Sequence, residues 1–190
     1  MIPILVIFSQ LKSFSQFEET YEDSRRFHLG FTTGINNISG ILGPNVEYKL
    51  EGPISLYGAA GLGTWGFKLS GGARYYFDYP NRFALNLGLS HALGANKIET
   101  EIETVSSGSG NTQKVTMDLH PTSTLNISTL YFIKMGKHSR FNFEFGYAVP
   151  LKNRAYSIHN GAILTETSHR VMKLLQPGGL ILGIGVSFGL

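Results

Sequence analysis

From residue 27 to the end, apolar residues alternate with polar or very small ones through eight separate stretches. Phe27, Leu29, Phe31, Thr33 and Ile35 oppose His28, Gly30, Thr32 and Gly34. Val46, Tyr48 and Leu50 oppose Glu47 and Lys49. The third stretch, 54–65, sets Ile54, Leu56 and Leu62 against Ser55, Tyr57, Gly61 and Gly63. The fourth, 71–79, sets Ala73, Tyr75, Phe77 and Tyr79 against Arg74, Tyr76 and Asp78. In the fifth, 83–91, Phe83 and three leucines face away from Ala84, Asn86, Gly88 and Ser90. The sixth, 124–133, has apolar residues in both phases, whereas the seventh, 141–149, splits Phe141, Phe143, Phe145 and Tyr147 cleanly from Asn142, Glu144 and Gly146. The last, 180–190, has Leu, Ile, Val or Phe at its even positions and mostly glycine or serine between them. A period of two places successive side chains on opposite faces of a strand. Eight strands are therefore predicted, each with one apolar face and approaching the 9–11 residues that a tilted strand needs to cross a bilayer.

Connection lengths order these strands. Residues 51–53, 80–81 and 134–139 are short links, while 36–43, 66–70, 92–123 and 150–179 form a longer set, two of them very long. Short and long alternate, so the long links fall on one end of an up-and-down barrel, as in outer-membrane barrels. The predicted fold is all-β: an eight-stranded antiparallel up-and-down transmembrane β-barrel spanning 27–190. Lipid offers no partner for backbone groups, so the last strand must pair with the first.

Composition sharpens this picture. Only 15% of the residues are charged, against roughly 25% in an ordinary soluble domain. Cysteine is absent, which excludes disulfide frameworks and thiolate metal sites. The net charge of +3 is too mild to argue for a nucleic-acid partner. Residues 1–15 read as a signal peptide, with an apolar run over 2–8 and small Ser13 and Ser15 before Gln16, possessing no basic start and so read as truncated. Residues 16–26 are expected to form a periplasmic segment. A soluble lipocalin-like carrier is the sharpest rival, since it too is a secreted eight-stranded barrel. Under that reading Glu47, Lys49, Arg74, Asn86, Asn142 and Glu144 would be the entire solvent face of the strands, a surface short of charge.

The chain resembles the small eight-stranded outer-membrane barrels of Gram-negative bacteria, of the OmpX and OmpA membrane-domain type, with the PorT-like short barrels as nearer relatives. The resemblance covers about 27–190 and lies in pattern. Gly185, Phe188 and Leu190 match the glycine and the two final hydrophobic positions of the barrel-assembly signal, although Leu190 replaces the usual terminal aromatic and Gly183 stands where a polar residue is common. It implies an outer-membrane location, contact with membrane lipid and lipopolysaccharide, and recognition by the barrel-assembly machinery.

Eight strands enclose only enough space for side chains, which disfavours a diffusion channel. His28, Glu47, Lys49, Arg74, Asp78, Asn86, Asn142 and Glu144 are the expected lumen network, with mixed signs that allow pairing. A basic turn of Lys134, Lys137 and Arg140 is expected at the periplasmic end. Catalysis is a minor alternative: Ser90-His91 falls at the rim and Thr167-Ser168-His169 in the last loop, resembling the setting of lipid A hydrolases and acyltransferases. Neighbouring residues on a strand point apart, so neither Ser–His dipeptide is itself a nucleophile–base pair. The histidines show no metal-ligand spacing, and no cofactor is expected.

The most distinctive stretch is 97–119. Ile98, Thr100, Ile102 and Thr104 alternate with Lys97, Glu99, Glu101 and Glu103; Val115, Met117 and Leu119 alternate with Lys114, Thr116 and Asp118. The turn-rich 106–112 lies between them. This predicts a protruding β-hairpin bent at its base over Ala92 to Ala95. Residues 83–104 as one strand would span ~70 Å at ~3.3 Å per residue, far beyond the ~30 Å hydrocarbon core. Two roles are open: the hairpin binds a partner through Ile98, Glu99, Glu101, Ile102, Glu103, Lys114, Val115 and Met117, or it shields the barrel mouth and packs on the last loop. That loop, 151–178, carries a basic excess and helical spacing over 169–176. The expected function is a structural or accessory outer-membrane subunit that binds a protein or surface partner through its hairpin.

Overall fold

The computed structural model describes residues 25–77, 82–105, 112–152, 155–159, 161 and 163–190. The expected signal peptide, most of 16–26, the hairpin tip at 106–111, Asp78 and Arg154 lie outside them. Eight strands close into an antiparallel barrel: β1 (Phe27–Ile35), β2 (Leu42–Lys49), β3 (Ile54–Gly63), β4 (Gly66–Tyr76), β5 (Phe83–Ala92), β8 (Thr122–Lys134), β9 (Ser139–Pro150) and β11 (Gly179–Gly189). The seam pairs β1 with β11, from His28 opposite Gly189 to Ile35 opposite Leu182, so no barrel edge is left open. β6 (Ala95–Glu103), β7 (Thr112–Leu119) and β10 (Tyr156–Ile158) form a separate three-stranded sheet in the order β10-β7-β6, and α1 (Glu166–Leu175) follows it.

The alternation is realised along the barrel strands, with apolar residues outside and mostly polar or small ones inside, Leu130, Phe132 and Ile181 being inward apolar exceptions. β5 reads exposed-buried through all ten residues. The outer face carries Leu29, Phe31, Leu56, Leu87, Phe145 and Leu182, each more than two-fifths exposed. The inner face buries His28, Glu47, Arg74, Asn86, Asn142 and Glu144. β8 mixes its phases because Leu130 and Phe132 point inward and pack with Tyr76 and Ala84, an apolar layer near the turn end of the lumen.

Several boundaries differ from expectation, the β3–β4 link and the starts of β4 and β2 among them. The β3–β4 link is Thr64-Trp65, a tight turn closed by the Gly63–Gly66 pair, where the sequence suggested a longer link over 66–70. Gly66 adopts φ +94, which only glycine holds without strain, and a Cβ there would lie 2.6 Å from the Gly94 carbonyl oxygen. β4 therefore starts five residues before the expected 71, and Lys68 and Ser70 become lining residues. β2 begins at Leu42, inside the expected 36–43 link, because Gly43 and Asn45 continue its inner face.

Candidate functional site: a plugged lumen beneath a folded cap

The lumen is organised around Glu47. Its carboxylate accepts hydrogen bonds from Ser55 Oγ at 2.6 Å, from Arg74 at 2.5 Å, and from Tyr76 and Arg140. Arg140 also donates to Ser187 Oγ at 2.9 Å and to Tyr76 Oη at 3.0 Å. The two guanidinium groups sit over aromatic faces, Arg74 at 4.8 Å from the Tyr57 ring centroid and Arg140 at 4.3 Å from that of Phe132. A buried carboxylate is tolerable when several charged or polar donors surround it.

Arg140 is a correction. The sequence places it in a basic turn, yet it is 8% exposed and fills the lumen. β9 starts at Ser139, so Arg140 shares the inward phase of Asn142 and Glu144. Among the expected members, Lys49 is half-buried at the end of β2, and His28 lies across the β1–β2 ladder from Glu47.

Above Glu47 the polar contacts continue. Asn86 Nδ2 donates to Tyr57 Oη and Ser128 Oγ, both at 3.2 Å, and Ser128 donates to Glu144 at 2.6 Å. Ser70 and Ser90 hydroxyls are 2.7 Å apart, and Asn126 donates to Ser90. The β1–β2 link then folds into the barrel mouth: Asn37, Ile38 and Ser39 are essentially inaccessible. Lys68 Nζ donates to the carbonyls of Asn36 (3.1 Å) and Asn37 (2.6 Å), and Ser70 Oγ to that of Ile38 (2.5 Å). This plug was not anticipated. Its signal was the run Asn36-Asn37-Ile38-Ser39-Gly40, where short polar residues bond to local backbone; Asn37 Oδ1 accepts from the Ser39 N–H at 3.0 Å.

The hairpin packs on the last loop. Val115 and Met117, which the sequence offered as partner-binding residues, are buried in an apolar core with Trp65, Ala92, Leu119, Ala155, Tyr156 and Met172; Ile98 and Ile102 pack against its edge. β10 pairs with β7, and the bridge between Thr104 and Leu164 joins the end of β6 to the last loop. Trp65 Nε1 donates to the His120 carbonyl at 3.2 Å. The bend at the hairpin base uses Gly94 at φ +74, where a Cβ would lie 2.0 Å from the Leu119 carbonyl oxygen. A bulge follows at Lys97, itself at φ 53, whose N–H donates to Asp118 at 2.7 Å. That bond, together with one from His159, holds the Asp118 carboxyl below the usual aspartate range. The charged side of the sheet, Glu99, Glu101 and Lys114, stays exposed, and Glu103 is half-buried.

The candidate catalytic groups separate. Ser90 faces the lumen, while His91 points outward and its Nδ1 lies 2.9 Å from Ser123 Oγ on the neighbouring strand. His169 Nδ1 pairs with Tyr156 Oη at 2.7 Å and Ser168 donates to the Glu103 carbonyl, so both brace the cap. Among the described residues no cluster of three metal-ligating side chains occurs. Gly185 sits where a Cβ would be 2.5 Å from Thr32 Cγ2, whereas Phe188 and Leu190 are exposed on the outer face. Compared with known proteins, the chain matches no family model and no curated protein.

Proposed function

We propose that the chain is an integral outer-membrane barrel of a Gram-negative bacterium. Its lumen is closed by side chains and plug, and it serves as a structural or accessory subunit that displays the cap at the cell surface. The observation that carries this reading is the inverted polarity of the barrel: Glu47, Arg74 and Arg140 inside, with large apolar side chains exposed on all eight strands. Soluble monomers rarely expose contiguous apolar patches beyond a few hundred Å², and a lipocalin-like carrier would need the opposite arrangement. No channel follows from a lumen so filled. With Val115 and Met117 buried, a protein partner meets the charged sheet face of Glu99, Glu101 and Lys114, and its binding weakens with salt.

The test is fractionation of the chain expressed with its own leader, followed by gel mobility of unheated and boiled samples. An outer-membrane band that shifts on boiling supports the barrel; a soluble periplasmic protein without the shift overturns it. Glu99→Lys with Glu101→Lys should then abolish partner co-purification while leaving the shift intact.

One observation favours a second reading, an acyl hydrolase acting on outer-leaflet lipid: the His91–Ser123 pair on the outward face beside the cap. Ser123 would attack an ester carbonyl as His91 takes its proton. Among the described residues His91 bonds no carboxylate, so the orienting acid of a triad is missing. The accessory reading expects purified protein to leave phospholipid and lipid A esters intact. Fatty-acid release abolished by both Ser123→Ala and His91→Ala would establish the enzyme instead.

A further inference from the structure

The cap uses only part of the apolar surface of α1. Thr165 caps the helix, its hydroxyl accepting from the Ser168 N–H at 3.3 Å, and Ser168 and Met172 are buried toward the cap core. Val171, Leu174 and Leu175, spaced i, i+3, i+4 and so on one face, are exposed; Leu174 is 82% exposed, the highest value among the large hydrophobic residues described. Arg170, paired with Glu166 at 2.5 Å, and Lys173 occupy the remaining exposed side.

The position of this unpartnered face identifies its occupant. The Leu175 carbonyl accepts from Thr64 Oγ1 at 2.7 Å, which ties the helix C-terminus to the β3–β4 turn. Asn36 Nδ2 donates to the Gly178 and Leu180 carbonyls, which ties the following residues to the top of β1. Leu174 consequently lines a small cavity of about 70 Å³ with Ile35, Ile41, Trp65 and Pro177. Ile35 and Ile41, with Leu42 and Leu62 beside them, are exposed apolar residues at the upper margin of the barrel's outer face. The apolar flank of α1 is thus continuous with the surface that meets lipid in the proposed setting.

We infer that α1 lies in the outer-leaflet interface, with Val171, Leu174 and Leu175 among acyl chains and Arg170 and Lys173 at the level of the headgroups. This rests on the membrane reading above. Amphipathic helices with a basic polar face settle at this depth, and long basic side chains reach up to headgroups while their stems stay in apolar surroundings. The helix then anchors the last loop to the membrane as well as to the hairpin, holding the cap upright over β1–β3.

Because the chain has no cysteine, single labels can be placed cleanly. Leu174→Cys, Val171→Cys, Lys173→Cys and, on the barrel belt, Leu87→Cys would each carry an environment-sensitive fluorophore in full-length protein. The samples are reconstituted in phosphatidylcholine–phosphatidylglycerol vesicles. Labels at 171, 174 and 87 should lose most of their emission to a lipid-borne nitroxide and little to aqueous iodide, with the reverse at 173. If 87 is quenched from lipid but 174 only by iodide, the helix inference fails and the barrel reading stands. If 87 too is quenched only by iodide, the membrane reading itself fails. A label at 174 that neither agent reaches means protein covers the face, which also overturns the inference.

Discussion

Replacing Glu47 by glutamine tests whether the lumen is held by charge or merely by shape. The substitution preserves volume and removes one carboxylate that two guanidiniums share, Arg74 and Arg140. Each pair contributes about 4 kcal/mol at an effective dielectric of about 20 and ~4 Å between charge centres, so about 8 kcal/mol of attraction is lost. Against this, the carboxylate no longer has to be held out of water, which returns several kcal/mol. The difference, about 3–5 kcal/mol of destabilisation, matches what removing one partner of a buried ion pair ordinarily costs. Urea unfolding in vesicles, followed by the fraction of unheated protein running at the compact gel position, reads this directly. Adding Arg140→Met to Glu47→Gln should cost less than the sum of the two single changes, since one orphaned cation is removed along with the anion. If Glu47→Gln unfolds within about 0.5 kcal/mol of the parent, the range of an ordinary surface substitution, the network is a filler and the reasoning is wrong.

Three further outcomes are expected. Gly88→Ala would set a Cβ 2.0 Å from Tyr57 Oη and 2.6 Å from the Gly71 carbonyl oxygen, whereas at Gly58 the nearest atom is 3.7 Å away. Gly88→Ala should therefore destabilise the barrel by about 1–3 kcal/mol by overpacking, with Gly58→Ala near neutral in the same urea titration. Met117→Ala should destabilise the cap by about 2–5 kcal/mol, seen as faster amide exchange in β6, β7 and β10 with β3 and β5 unchanged; slowed or unaltered exchange in the cap would contradict its core. The Asp118 carboxyl titrates lower when folded, so its contribution is present above the ordinary aspartate range and is lost as pH falls through the lowered value. Exchange at the Lys97 amide should accelerate on that acid side, and Asp118→Asn should remove the pH dependence.

The period of two was enough to read the eight barrel strands and the two hairpin strands, because in a sheet with opposite environments on its faces each residue carries the signal. It failed where a residue serves a tertiary partner instead. Trp65 looked like the end of a strand because an aromatic suits one, yet it turns the chain and enters the cap core. Leu130 and Phe132 blurred β8 because they fill the lumen beside Tyr76. Arg140 looked like one of a basic trio in a turn, and only its phase relative to Asn142 and Glu144 would have placed it inside. The inward seat of the plug on Lys68 and Ser70 and the docking of β7 against β10 depend on contacts between segments far apart in the chain, which the local run at 36–40 and the alternation do not contain. The burial of Val115 and Met117 is the same case: alternation shows that a hairpin has an apolar side, but not what covers it.

The cap core joins Trp65, from the third link of the chain, to Met172 in the helix just before the final strand. Such contacts close long loops, and their entropic cost is met only after the intervening segments are laid down. Asn36 then clasps Gly178 and Leu180 where β11 begins, beside the β1–β11 seam. Consolidation of the cap and sealing of the barrel are therefore expected to be late events that occur side by side. In the outer-membrane setting proposed above, a binder specific for the folded cap, applied to intact cells, would count finished barrels rather than merely exported chains, and would make the cap a report on assembly beneath it.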